Sequence, residues 1–86
     1  MMANEKELQD IIDVLKEIEE DTTVPRNVKT SVQNTIKALM NEGEPSIKVN
    51  KALHELENVS DDTNMQPYTR TQIWNIVSML EKINTN

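Results

Sequence analysis

The chain has 86 residues, a formal net charge of −6, 36% apolar residues, one Trp, one Tyr and no Phe. It has no Cys, which excludes a disulfide framework, thiolate zinc sites and a cysteine nucleophile. The acid excess argues against bulk attraction to nucleic acid or anionic lipid.

Residues 1–86 are long enough for one domain, with an aliphatic core of Leu, Ile, Val and Met. One Gly and three Pro leave little turn chemistry for hairpins of strands, so few, long elements are expected. The first segment, residues 4–20, sets Leu8, Ile11, Ile12, Leu15 and Ile18 at the spacing of one helical face. Asp10, Asp13, Glu17 and Glu20 fall on the opposite face. The start, MMANEKELQD, is charged and has no apolar h-region, so no signal peptide is expected. No uninterrupted apolar run approaches the roughly 20 residues of a membrane span, and a cytoplasmic protein without membrane contact is expected.

A turn follows, in which Asp21 or Thr22 can bond local amides and Pro25 suits the first turn of a new helix. The second helix covers residues 25–41, with Val28, Val32, Ile36, Leu39 and Met40 as its apolar stripe. It stops at residues 41–43, where Gly43 serves as a C-terminal stop. Pro45 and Ser46 open a third helix, whose inward face is Val49, Ala52, Leu53, Leu56 and Val59. Residues 61–66 make a second turn. A fourth helix over residues 67–83 turns Thr69, Ile73, Ile76, Val77, Leu80 and Ile83 inward.

The two turns are alike. EDTTVPR, beginning at Glu20, lies 41 positions upstream of DDTNMQP, beginning at Asp61. The same offset superposes Leu15 on Leu56, Ile18 on Val59, Asp21 on Asp62, Thr22 on Thr63, Asn34 on Asn75 and Leu39 on Leu80. Periods of about 40–47 residues belong to two-helix repeat units. A single hairpin cannot bury its own apolar stripe, and a second copy supplies the other half of a core. Amphipathic helices agree at apolar positions by nature, so the shared Asp-Thr turn and the shared Asn carry more weight. Two units are too few for an open solenoid. The expected fold is therefore all-α, a four-helix up-and-down bundle built from two helical hairpins.

Charge follows the same segmentation. Residues 1–21 hold eight acids against two lysines, residues 22–41 three cations and no acid, and residues 42–62 six acids against two lysines. Residues 63–86 carry Arg70, Lys82 and Glu81. An up-and-down order places each acidic helix beside a basic one. Exposed pairs of this kind contribute only about 0–1 kcal/mol each, so their effect is on packing specificity.

Little in the sequence suggests chemistry. The sole histidine, His54, lies with Ile47, Lys51 and Asn58 away from the core stripe, as a solvated surface residue does. No second His, Cys or inward Glu-x-x-His pattern accompanies it, so no metal is expected. One Gly makes neither a phosphate-cradling loop nor a dinucleotide fingerprint, and no cofactor is expected. No nucleophile turn occurs. Residues 61–64 lack the spacing and final Glu of a calcium loop. No catalytic residue is assigned, and the protein is expected not to be an enzyme.

The surface offers more. The acidic stripe of the first helix is a solvated face or a site for a basic partner. The basic stripe Arg26, Lys29, Gln33 and Lys37 faces acidic neighbours or touches an anionic partner such as RNA; without interleaved aromatics it is a weak nucleic-acid signal. Arg70 and Trp74, one helical turn apart, can stack as a cation–π pair. Trp74 either seals the rim of the core or forms part of a binding hot spot. Glu19 projects toward Ile12 and Leu15, and Arg26 or Arg70 is its expected cation.

VPRN at residues 24–27, DTNM at 62–65 and RTQIWNIVS at 70–78, followed by Leu80-Glu81, resemble a small archaeal group, uncharacterised protein family zero-one-four-seven. The resemblance covers about residues 8–83 and implies an archaeal, cytoplasmic, all-helical bundle. It implies no activity. The family pattern favours Asp-Pro-Asn-Met-Pro in the second turn, whereas Thr63 and Gln66 stand in those places here and the proline is Pro67.

The functional expectation is a non-enzymatic protein-interaction module with an unidentified protein partner, as a monomer or homodimer. Its contact residues are Arg26, Asn27, Arg70 and Trp74, gathered near the two turns at one end. RNA or ribosome association through Arg26, Lys29 and Lys37 is the alternative.

Overall fold

Four helices and no strand make up the residues described by the computed structural model, 2–41 and 43–84. They are α1 (Met2–Glu20), α2 (Arg26–Met40), α3 (Pro45–Val59) and α4 (Pro67–Asn84). The all-α reading and the position of each helix agree with the sequence to within a residue or two at each end. Pro25 stands just before α2 rather than inside it, at φ −58° and ψ 150°. Its carbonyl accepts from the Lys29 amide at 2.9 Å and so closes the first turn. Pro67 opens α4, where its missing N–H has no intrahelical partner to lose.

The helices meet in a ring. α2 packs most extensively on α3, α1 on α2, α3 on α4, and α1 more thinly on α4; α1 does not meet α3, nor α2 α4, among the described residues. The molecule measures 36 × 19 × 19 Å, so its cross-section is about two helix diameters of ~10 Å. In the middle lies one aliphatic core. Ile11, Leu15, Val28, Val32, Val49, Leu56, Ile73, Ile76 and Leu80 are essentially sealed from water. Burial of each such side chain contributes about 1.5–3 kcal/mol, which is how a chain with two aromatic residues can still fold.

One detail differs from the sequence reading, and one lies outside it. Met40, expected in the core stripe, is 62% exposed. It is the last residue of α2, and the backbone leaves the helix at Asn41 in extended conformation, so nothing packs over it. Thr35, a polar residue among aliphatic neighbours, is fully buried. Its hydroxyl donates to the Ser31 carbonyl at 2.7 Å, which removes the cost of burying it.

The α2–α3 connection is fastened by Lys48, whose ammonium donates to the Asn41 carbonyl at 3.3 Å. Gly43 takes φ +144°, a conformation side-chain-bearing residues rarely adopt. No helix of the described chain is long and apolar enough to cross a membrane.

Candidate functional site: the paired corners

The two repeated turns share the same backbone hydrogen bonds and the same Asp-to-amide bond. In the first corner the Asp21 amide donates to the Ile18 carbonyl at 3.1 Å and the Val24 amide to the Asp21 carbonyl at 3.3 Å. In the second, the Asp62 amide donates to Val59 at 3.0 Å and the Met65 amide to Asp62 at 3.3 Å. The side chains repeat as well. Asp21 Oδ1 accepts from the Thr23 amide at 2.9 Å, and Asp62 Oδ1 accepts from the Asn64 amide at 2.8 Å. Each is an Asx-type turn, in which a short carboxylate satisfies an amide two residues on. Val24 and Met65, both buried, anchor the corners to the core. The 41-residue repeat is thus a repeat of hydrogen bonds and anchors, beyond shared amphipathicity.

The corners lie side by side. Asn27, in the first turn of α2, donates from Nδ2 to Asp62 Oδ2 at 2.6 Å. Arg70, in the first turns of α4, donates from Nη2 to the Asp62 carbonyl at 2.9 Å. Asp62 therefore collects bonds from its own corner, from α2 and from α4. The Asn27 side chain holds the Asp62 carboxyl below its usual value, helped by the Asn64 amide and the Arg70 charge and opposed by partial desolvation. The Asp21 carboxyl is lowered in the same way, first by the Thr23 amide, then by the Thr23 hydroxyl, with a smaller contribution from Lys29. Lys29 and Arg70 are themselves related by the 41-residue offset.

Of the four expected contact residues, the structure brings Asn27 and Arg70 together on Asp62. Arg26 is exposed beside Asn27. Trp74 is 48% exposed, one turn further along α4 than Arg70. Helical side chains lean toward the N-terminus, and the Arg70 guanidinium reaches back to the Asp62 carbonyl. Its Nε is buried and makes no hydrogen bond. Glu19 pairs with neither arginine. It is half-buried in a shallow hollow with Gln33, Ile36 and Lys37 of α2, while Arg70 is held at the second corner and Arg26 is exposed. His54 is exposed. No group of three or more His, Cys, Asp or Glu residues able to hold a metal occurs among the described residues. The sequence reading missed Asp62 as the hub. Its alignment with Asp21 was the available signal, and the long-range partners were not.

The fold and its corners define a small all-α protein of four helices, with two matching Asp turns joined at one end. The chain belongs to the Uncharacterised protein family (UPF0147), whose model matches residues 1–83. It is 43% identical to the UPF0147 protein of Methanocaldococcus jannaschii, over 94% of this chain and 92% of that one. It is also 43% identical to one from Pyrococcus horikoshii, over 96% and 92%. A crystal structure of a protein of unknown function is similar at 47% identity and a TM-score of 0.83, covering 87% of this chain and 86% of that one. The crystal structure of a family member from Thermoplasma acidophilum is 26% identical with a TM-score of 0.88, over 96% and 99%.

Proposed function

We propose that the protein is a small, non-enzymatic, cytoplasmic interaction module. In this reading its helices act as an up-and-down bundle of two hairpins, and the corner end meets a protein partner. What supports this above all is the Asn27–Asp62 bond, which ties the two corners into one continuous surface. Asn27 and Arg70 hold that surface in shape while Arg26 and Trp74 present charge and aromatic area, the residue types that dominate binding hot spots. The test is capture of partners from native extract, followed by rebinding of the purified partner. Arg26→Ala and Trp74→Ala are expected to lose a partner while keeping full helicity. If every specific partner survives both changes, the corner end is only structural.

RNA or ribosome association remains the second reading. Arg26 and Lys37 are exposed, which favours it, whereas Lys29 is half-buried and acts on Asp21. Retention on RNA that weakens steeply with salt supports it; no retention at low salt ends it.

A further inference from the structure

We infer that the open hollow between α2 and α3 is a binding site for a small phosphomonoester, with Lys37 and Lys51 clamping its phosphate group from opposite walls.

The hollow has a volume of 260 Å³ and lies along the most extensively packed pair of helices, so its walls are well fixed. Asn34, Lys37, Ala38 and Asn41 line it from the α2 side, Lys51 and Glu55 from α3. Ala38 is the smallest of these side chains and leaves the space. Among the described residues, the side chains of Asn34, Lys37, Asn41 and Lys51 have no hydrogen-bond or ion-pair partner. Two ammonium groups and two carboxamides thus share one concavity with their donors uncommitted, on a chain whose net charge is −6. At its edge the Lys48 ammonium donates to the Asn41 carbonyl at 3.3 Å. That contact offsets the partial negative charge of the α2 C-terminus, which would otherwise repel an anion here.

The donor set selects the ligand. The hollow holds no arginine, whose planar fork suits a carboxylate. Two point charges and two carboxamides around a concavity suit the terminal oxygens of a tetrahedral phosphate. Glu55 is half-buried in the α3 wall. It stands four residues after Lys51, the weaker order for a helical ion pair, so Lys51 stays available. The Glu55 carboxylate accepts from a hydroxyl on the organic part of the ligand and repels a second phosphate, which favours a monoester over a nucleic-acid strand. The volume lies just below the roughly 300–1,000 Å³ of sites for drug-sized ligands, which suits a ligand the size of a sugar phosphate.

The inference shares Lys37 with the RNA reading and no residue with the corner end, so either can fail alone. Amide NMR titration with glycerol phosphate and with inorganic phosphate, against chloride at matched ionic strength, tests it. Both phosphates should shift the Asn34 and Asn41 side-chain signals saturably, glycerol phosphate at the lower concentration. Lys37→Gln and Lys51→Gln, both at exposed positions, should each weaken binding about tenfold with helicity unchanged. Glu55→Gln should tighten inorganic phosphate and remove the preference for the ester. Arg26→Ala and Trp74→Ala should leave the titration unmoved. Shifts reproduced by chloride, or unaltered by both lysine variants, overturn the proposal. So do inorganic phosphate bound as tightly as the ester, and a single-stranded RNA oligomer bound here more tightly than either.

Discussion

The side-chain amide of Asn27 donates to the carboxylate of Asp62 at 2.6 Å, across 35 positions of sequence. This bond brings the start of α2 to the corner between α3 and α4. It turns two separate repeats of one turn into neighbours, and it uses the carboxylate oxygen that the Asn64 amide leaves free.

A consequence for acid stability follows from the corner carboxylates. Asp21 and Asp62 both titrate lower in the folded protein than their usual value. A lowered folded pKa contributes stability that is complete above the unfolded value and is lost as pH falls through the folded one. The contribution of these two groups should hold above about pH 4 and disappear progressively below it. Thermal melts of the parent and of the Asp21→Asn/Asp62→Asn double variant should converge in acid. Carboxyl NMR of Asn27→Ala should show the Asp62 titration moving up and that of Asp21 unmoved. Equal acid sensitivity in parent and double variant would assign the loss to other carboxylates.

Leu15 and Leu56 occupy the same place in the two repeats, and both are fully buried. Truncation to Ala removes apolar contact and leaves a cavity, at about 2–5 kcal/mol. Leu15→Ala and Leu56→Ala should therefore lower the urea midpoint by similar amounts with little change in slope. A loss confined to one of them would mean that the two hairpins share the core unequally.

Gly43 has nothing within 4 Å of where a Cβ would sit, yet its φ is +144°. Conformation, rather than space, is what a side chain would violate there. Gly43→Ala should cost about 1–3 kcal/mol in denaturant unfolding. A neutral result would mean that the α2–α3 connection can relax to negative φ.

Much of this was legible in the residues. The spacing of Ile11, Leu15 and Ile18, or of Ile73, Ile76 and Leu80, announced which side of each helix is dry. The resemblance between the Asp21 and Asp62 turns announced a repeated corner, and the bonds agree. Two expectations went otherwise, for a common reason. Met40 continued a periodic pattern past the point where any neighbour could cover it. Glu19 was assigned Arg26 or Arg70 by residue type, but the Arg70 guanidinium is engaged at the Asp62 carbonyl, and Glu19 lies beside Gln33, Ile36 and Lys37 instead.

Helix positions, dry faces and the internal bonds of each corner were set by the chain alone, since each depends on residues within about one or two turns of one another. The meeting of Asn27 with Asp62, the capture of Arg70, the half-burial of Glu19 and the exposure of Trp74 were decided by the tertiary structure. Each depends on which helix lies alongside which and where that neighbour ends. Periodicity tells a helix which way to face; it carries no information about what it will find there.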